Sequence, residues 1–328
     1  MTRKHLTITR RLPEQVEARI RRDYSPQFNT DDHLYTSDEL IAAAAGADAL
    51  LVTPRDVLDA IVIARLPGSV RIIATLSVGY EHIDLAAAAA RGIQVTNTPD
   101  VVTDATADVT MLLLLGASRR ATEGQALLRS GAWCDPRPTE LLGWQLTGKN
   151  LGIFGMGRIG RAVAHRAQAF GMHIHYTNTK RLHPQLEQNA TFHADFRDLL
   201  RVSQFLTLHA PATDATRHFL NAQTIALLPH DSIVVNAARG SLIDDDALIA
   251  ALRTHRIAAA GLDVYQGEPN VCPEYLTLPN VFPLPHLGTA TIDARTQMGL
   301  CALDNLDAAL AGKTPPNLLN ALIHQRAL

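Results

Sequence analysis

The feature that most constrains the fold is an alternation that runs along nearly the whole chain. Short runs rich in β-branched residues are followed by periodic stretches rich in alanine and leucine. Strands that alternate with helices are typical of βαβ units and a parallel sheet. The predicted strands are His5–Thr9, Ala49–Thr53, Val70–Thr75, Ile93–Thr96, Leu151–Phe154, His173–Tyr176, Phe205–Leu208, Ser232–Asn236, Ala258–Leu262 and Val281–Leu284.

Between the early strands the pattern predicts helices, and Thr36 with Glu39 has the spacing of a capping box. The predicted helices are Pro13–Arg22, Asp38–Ala45, Asp56–Leu66 and Asp84–Arg91.

The division into domains follows from two further helices. Residues Asp104 to about Leu128 contain no proline and predict one helix about 40 Å long, which should bridge two domains. The last helix, about Thr291–Ala311, should fold back onto the first domain. The 328 residues also suggest two domains at roughly 100–200 residues each. We therefore predict one discontinuous domain, residues 1–100 plus 290–328, with residues 101–289 inserted as the other.

Composition excludes several classes of protein. Thirty Lys and Arg against 32 Asp and Glu give a net charge of −2, whereas nucleic-acid binding needs a basic face. No apolar run reaches the length of a membrane span, and the N-terminus lacks the apolar segment of a signal peptide. The three cysteines, Cys134, Cys272 and Cys301, are far apart, which predicts buried thiols in a reducing compartment, hence the cytoplasm. No metal site is predicted.

A glycine motif predicts dinucleotide binding. Gly155-Met-Gly157-Arg-Ile-Gly160 has the pattern GxGxxG, follows the apolar run LGIF and opens a helical stretch. Gly155 permits the tight turn, Gly157 lets the backbone approach a pyrophosphate, and Gly160 lets helix and strand pack closely. The helix N-terminus would then present N–H groups to the anion. The alternative is a plain glycine turn.

The end of the next strand bears on which dinucleotide binds. An acidic residue about 20 positions beyond the glycines would accept the ribose 2′-hydroxyl, but none occurs between Ile174 and Arg181. Asn178 and Thr179 offer hydrogen bonds, and Lys180 and Arg181 offer positive charge. These residues suit a 2′-phosphate, so NADP(H) is the preferred cofactor and NAD(H) a possible one. The alternative is a solvated loop.

Three polar residues follow late strands of the same predicted sheet: Arg239, Glu268 and His286. Ligands of open α/β sheets bind outside the carboxyl ends of the strands, so all three should project toward the dinucleotide. Together they form a plausible set for hydride transfer.

The motifs GMGRIG, NAARGSLIDDDAL, GLDVYQGEP and PHLG resemble the D-isomer-specific 2-hydroxyacid dehydrogenase family. The segments LSVGYEHID and NTPDVVTDATAD resemble its glyoxylate/hydroxypyruvate reductase branch, and the resemblance covers about residues 45–315. It implies an α/β fold with two Rossmann-like, doubly wound parallel-sheet domains, a cleft between them and a homodimer. Residues 1–100 plus 290–328 would bind substrate, and residues 101–289 would bind the dinucleotide.

The resemblance also implies a role for individual residues. Arg239 would hold the substrate carboxylate and polarise the 2-oxo group, His286 would be the general acid, and Glu268 would orient the imidazole. The backbone N–H groups of Val78 and Gly79 would grip the carboxylate. Further residues are assigned to the cofactor: Asp263 near the nicotinamide carboxamide, His209, Pro211 and Thr216 beside the adenine, and Arg158, Ile159, Ala237 and Gly288. For Asp263 the alternative is a cap or turn residue.

The resulting hypothesis is a cytoplasmic, NADPH-preferring reductase of small 2-oxoacids, with glyoxylate or hydroxypyruvate as substrate. Trp133 is interpreted as either a core residue or part of the dimer interface. The alternative function is a dinucleotide-sensing binding protein of the corepressor type, which shares the fold. Neither nucleic acid nor a membrane is expected as a partner.

Overall fold

The computed structural model describes residues 3–135 and 137–320. Residues 1–2, 136 and 321–328 belong to the predicted domain ranges but lie outside the described residues. The chain divides into two compact units. One is Thr103–Ala290, and the other consists of the described residues on either side, up to Val102 and from Thr291 onward.

The strands and helices alternate along both units. The strands are β1 (His5–Ile8), β2 (Ser25–Phe28), β3 (Ala49–Val52), β4 (Ile72–Thr75), β5 (Gln94–Thr96), β6 (Asn150–Phe154), β7 (His173–Thr177), β8 (Thr191–Phe192), β9 (Phe205–Leu208), β10 (Ser232–Asn236), β11 (Ile257–Leu262) and β12 (Val281–Pro283). The helices are α1 (Glu14–Asp23), α2 (Ser37–Ala43), α3 (Ala60–Arg65), α4 (Leu85–Ala90), α5 (Thr103–Ser118), α6 (Ala121–Arg129), α7 (Arg158–Ala169), α8 (Pro184–Glu187), α9 (Phe196–Val202), α10 (Ala222–Ile225), α11 (Asp245–Arg253), α12 (Pro273–Thr277) and α13 (Ile292–Leu310).

The first unit is built on a parallel five-stranded sheet in the order β2-β1-β3-β4-β5. Consecutive residues of a strand point to opposite faces. Leu50 therefore packs with the α2, α3 and α4 side of the core, whereas Leu51 packs with α1 and α13. Helices cover both faces, and the capping box of Thr36 and Glu39 is confirmed at the start of α2.

The second unit contains a parallel seven-stranded sheet in the order β12-β11-β10-β9-β6-β7-β8. Ile233 and Val235 face a core formed with α5 and α7. Val234 faces a second core, formed with α9, α10 and α11. The predicted pair of doubly wound parallel-sheet domains is thus confirmed.

The prediction of one long bridging helix is wrong. The stretch forms two helices, α5 and α6, and both belong to the Thr103–Ala290 unit. The chain leaves helical geometry at Arg120, which has φ +53° and pairs with Glu123. The carbonyl of Ser118 accepts a hydrogen bond from the Trp144 N–H instead of continuing the helix. This tertiary contact outweighs the local helical propensity.

Two strands were missed, β2 and β8, and both lie at sheet edges. Strand β2 contains Pro26 and has little buried surface, and β8 has only two residues, so neither carries the apolar pattern of a central strand.

Trp133 is 54% exposed, which excludes its interpretation as a core residue. Contrary to expectation, none of the three cysteines is fully buried: Cys134 lies exposed in a loop, and Cys272 and Cys301 are partly buried. No helix in the described part of the chain is long and apolar enough to cross a membrane.

Candidate active site

The three proposed catalytic residues follow neighbouring strands. Strands β10, β11 and β12 are adjacent and parallel, so their carboxyl ends lie at one edge of the sheet. Arg239 comes after β10, Glu268 after β11 and His286 after β12. The glycine motif follows β6 of the same sheet, with its carboxyl end at that same edge.

The geometry of the glycine loop fits a bound pyrophosphate. Gly155 has φ +98°, and a Cβ there would lie 2.6 Å from the Ala210 nitrogen. A Cβ at Gly160 would lie 2.5 Å from the Gly155 carbonyl oxygen. At Gly157, by contrast, a Cβ would meet no heavy atom within 4 Å, and no side chain caps helix α7 there. The first turn of α7, with Arg158 and Ile159, therefore has its N-terminal end open to an anion.

The end of β7 contains a carboxylate that the sequence analysis missed. Asn178 accepts a hydrogen bond from the Met156 N–H at 2.7 Å and so ties this end to the glycine loop. Arg181 donates to the Glu187 carboxylate from Nε at 2.8 Å and from Nη2 at 3.1 Å. Glu187 also accepts the Tyr176 hydroxyl at 2.6 Å. These donors lower the pKa of Glu187 to about 2.

Arg181 is therefore paired, so of the two cations expected to offer positive charge here, Arg181 shares its charge with Glu187. Glu187 lies six residues beyond Arg181, outside the short segment in which an acidic residue was sought. Thr179 and Lys180 are both exposed at the end of β7.

The segment after β9 packs against the glycine loop. The His209 N–H donates to the Phe154 carbonyl, and the His209 Nε2 lies 3.0 Å from the Thr207 hydroxyl. Burial lowers the pKa of His209 to about 4, so its imidazole is neutral at pH 7. Thr216 donates to the Pro211 carbonyl at 2.7 Å and thereby closes the turn that follows. Ala237 is buried at the end of β10.

His286 and Glu268 form a close pair. The His286 Nδ1 lies 3.0 Å from both carboxylate oxygens of Glu268. A carboxylate only accepts, so Nδ1 carries the hydrogen and Nε2 is left for acid–base chemistry. The hydrogen bond that His286 donates to Glu268 raises the pKa of His286 above its ordinary 6.5, against the opposing effect of burial. The imidazole side chain is 49% exposed.

Asp263 holds the loop that carries His286. Its two carboxylate oxygens accept the N–H groups of Leu287 at 2.6 Å and Gly288 at 2.8 Å. Its side chain is buried, which raises the pKa of its carboxyl group. Thr106 donates to the Gly288 carbonyl at 3.2 Å and secures the same loop. These contacts favour the turn-residue interpretation of Asp263.

The turn that carries Arg239 is held by a residue the sequence analysis did not single out. Asn236, the last residue of β10, donates to the Arg239 carbonyl at 2.9 Å and accepts the Ala238 N–H at 3.0 Å. The Arg239 Nη1 donates to the Ala238 carbonyl at 2.7 Å. The positive charge of Arg239 lowers the pKa of His286, whereas Glu268 raises it. Asn236 could have been identified from the sequence as a polar residue at the end of a strand that is otherwise largely apolar and buried.

Val78 and Gly79 belong to the other unit, in the loop after β4. Among the described residues, no acceptor is found for either backbone N–H. Val78 is 39% exposed. The loop thus offers two adjacent amide donors, a suitable arrangement for a carboxylate.

The described residues can perform acid–base and anion-binding chemistry. His286 can give or take a proton at Nε2, with Glu268 stabilising its charged form. Arg239 can hold a carboxylate through paired N–H groups. A nicotinamide dinucleotide bound at the glycine loop would supply or accept the hydride.

Fold and site together define a class: α/β oxidoreductases that pair a dinucleotide-binding sheet with a histidine–carboxylate acid–base couple. Residues 111–288 match the sequence profile described as "D-isomer specific 2-hydroxyacid dehydrogenase, NAD binding domain". The chain belongs to this D-isomer-specific 2-hydroxyacid dehydrogenase family, as its sequence resemblance predicted, and the glyoxylate reductase branch is confirmed with it.

Three relatives illustrate the similarity. The chain is 47% identical to a glycerate dehydrogenase from Hyphomicrobium methylovorum, over 95% of this chain and 98% of the relative. It is 40% identical to a glyoxylate reductase from Thermococcus litoralis, over 95% and 96%. A solved NADPH-dependent glyoxylate/hydroxypyruvate reductase from Sinorhizobium meliloti, in complex with NADP and malonate, superimposes with a TM-score of 0.85 at 31% identity, over 97% of both chains.

Proposed function

We propose that this enzyme reduces glyoxylate or hydroxypyruvate to the corresponding 2-hydroxyacid, with NADPH preferred over NADH. The observation that carries the proposal is the His286–Glu268 pair, 3.0 Å apart, at the same sheet edge as the glycine loop. Relatives named glyoxylate reductase and glycerate dehydrogenase support these substrates. Reduction needs one proton at the carbonyl oxygen, and His286 with a raised pKa can donate it.

In this proposal, residues 101–289 bind the dinucleotide, and residues 1–100 plus 290–328 bind the substrate. Arg239 pairs with the substrate carboxylate, which the amides of Val78 and Gly79 also contact. Asp263 acts by holding the loop of Leu287 and Gly288 beside the nicotinamide. The enzyme works in the cytoplasm as a homodimer, in whose interface the exposed Trp133 takes part.

The NADPH preference rests on the end of β7. Lys180 is the principal cation for the 2′-phosphate, with Asn178 and Thr179 nearby, because Arg181 shares its charge with Glu187. One charge-assisted hydrogen bond contributes about 1.5 kcal/mol, which corresponds to a preference of about tenfold in kcat/KM. The relative in complex with NADP supports this choice.

The test is a panel of 2-oxoacids assayed with NADPH and with NADH, followed by the absorbance of the reduced nicotinamide. We expect turnover of glyoxylate and hydroxypyruvate, and a kcat about 10²–10⁴-fold lower in His286→Ala. Dinucleotide affinity measured by fluorescence titration should be unchanged in that variant. Tight dinucleotide binding without turnover of any 2-oxoacid would instead favour a dinucleotide-sensing binding protein.

A further inference from the structure

In the loop after β4, the carbonyl oxygens of Ser77, Val78 and Gly79 each accept a hydrogen bond. The Ser77 carbonyl accepts the Thr98 N–H at 2.9 Å and the Thr98 hydroxyl at 3.2 Å. The Val78 carbonyl accepts the Asn97 side-chain amide at 2.8 Å. The Gly79 carbonyl accepts the Ser77 hydroxyl at 2.6 Å. All these donors belong to the same unit as the loop.

These contacts set the direction of the neighbouring amides. A peptide bond is planar and trans, so its N–H points opposite to its carbonyl. The peptide whose oxygen belongs to Ser77 carries the N–H of Val78, and the one whose oxygen belongs to Val78 carries the N–H of Gly79. Anchoring the two oxygens therefore aims both N–H groups to the other side of the loop. On that side neither amide has an acceptor among the described residues.

We infer that Asn97 is a positioning residue for substrate binding: through the Val78 carbonyl it fixes the Gly79 N–H toward the carboxylate of the 2-oxoacid. The Ser77 hydroxyl anchors the next peptide, which carries the Tyr80 N–H, and so limits rotation of the backbone at Gly79. The inference rests on the proposed function, since it assumes that the Val78–Gly79 amides meet the substrate carboxylate. Asn97 itself makes no contact with substrate in this scheme.

The backbone of Asn97 is held by two hydrogen bonds, which fix the position from which its side chain extends. The Asn97 backbone carbonyl accepts from the Asn305 side-chain amide of α13 at 3.2 Å, and the Asn97 backbone N–H donates to the Asn317 carbonyl at 3.4 Å. The Asn317 N–H in turn donates to the Asn305 side-chain oxygen at 3.0 Å. Asn305 is fully buried and Asn97 is 8% exposed. A network of satisfied and largely buried polar groups of this kind is rigid.

The Ser77 hydroxyl is oriented by a chain of donors. It donates to Gly79, so it must accept from Thr75, whose hydroxyl lies 2.8 Å away. Thr75 must then accept from the His82 Nε2 at 3.0 Å. The His82 Nε2 therefore carries hydrogen, in either the neutral or the charged ring. The order of donors, from His82 to Thr75 to Ser77, is therefore the same whether His82 is neutral or charged.

The experiment compares Asn97→Ala and Asn97→Asp with the wild-type enzyme. The first removes the donor, and the second keeps the volume while replacing the donor with a charged acceptor. We expect the KM for glyoxylate, and the Kd of the unreactive analogue oxamate in the presence of NADPH, to rise about 10–100-fold. The KM for NADPH should not change, and kcat should fall less than KM rises.

Asn320→Ala is the matched control. Asn320 is also a buried asparagine, and it holds the backbone at Ile93 and Val95, at the other end of β5 from Asn97. It should lower the melting temperature without raising the Kd of oxamate. Ser77→Ala, which leaves Asn97 intact, should weaken oxamate binding in the same direction as the Asn97 variants.

Wild-type affinity for oxamate in any folded Asn97 variant would overturn the inference. An equal loss of affinity in Asn320→Ala would do so too, because the effect would then be one of general stability. Failure of the wild-type enzyme to reduce any 2-oxoacid would instead overturn the proposed function, and the two outcomes are distinguishable.

Discussion

At the scale of single residues, the site depends on the side chains that position each functional group. Glu268 holds His286, Asp263 holds the loop around it, and Asn236 holds the turn of Arg239. The position of Arg239, Glu268 and His286 at one sheet edge could be predicted, because parallel strands bring their carboxyl ends to one edge and the motifs fall there. Their supporting partners could not, since Glu187 and Asn97 meet their targets only through the path of the folded chain.

The raised pKa of His286 predicts a specific pH dependence. Glu268 stabilises the imidazolium, so Glu268→Gln should lower that pKa. Reduction needs the protonated ring and is lost as pH rises through the pKa, so its alkaline limb should move to lower pH. Oxidation needs the neutral ring, so its acid limb should move the same way. The measurement is the pH profile of kcat/KM in both directions.

Glu274→Gln is the control for this prediction, because Glu274 pairs with Cys272 beside α12 and not with His286. Its pH profiles should match those of the wild-type enzyme. Unshifted profiles in Glu268→Gln would show that Glu268 does not tune the imidazole.

At the scale of elements, ten strands were predicted to within two residues at either end, whereas the edge strands β2 and β8 and the break between α5 and α6 were not predicted. Strand β9 is buried along its whole length, and its apolar run alone locates it. The end of α5 depends on Trp144, which binds the Ser118 carbonyl from a distant part of the chain. Periodicity within a window contains no information about such a contact.

The short helix α8 predicts an effect on cofactor choice. It ends at Glu187, whose carboxylate neutralises Arg181 near the end of β7. Glu187→Gln removes that negative charge while keeping a hydrogen-bond acceptor. If the 2′-phosphate lies here, the ratio of kcat/KM for NADPH over NADH should rise about two- to fivefold, the size of a solvent-screened interaction. Steady-state kinetics with both cofactors measures this ratio.

Glu123→Gln provides a matched comparison, since Glu123 pairs with Arg120 in the same unit and has no assigned part in cofactor binding. It should leave the ratio unchanged. A ratio that stays constant in Glu187→Gln, or falls, would place the 2′-phosphate away from Arg181.

At the scale of the whole molecule, each unit has its own hydrophobic cores. The clusters of the Thr103–Ala290 unit contain only its own residues, and the same holds for the other unit within the described chain. The other unit combines the strands from the early part of the sequence with helix α13 from its late part. The alternation of strands and helices was visible in the sequence.

This organisation predicts that residues 103–290 fold alone. The segment is continuous, includes the glycine loop and contains every residue of its two hydrophobic cores. Neither core therefore loses a residue when the segment is excised. We expect a cooperative thermal transition by circular dichroism, and dinucleotide binding by calorimetry. Gly157→Leu is the control: a Cβ there meets no neighbour, so the fragment should fold, but the side chain should block the pyrophosphate. A fragment without a cooperative transition would show that its cores need the other unit, and equal binding by both fragments would contradict the assigned phosphate site.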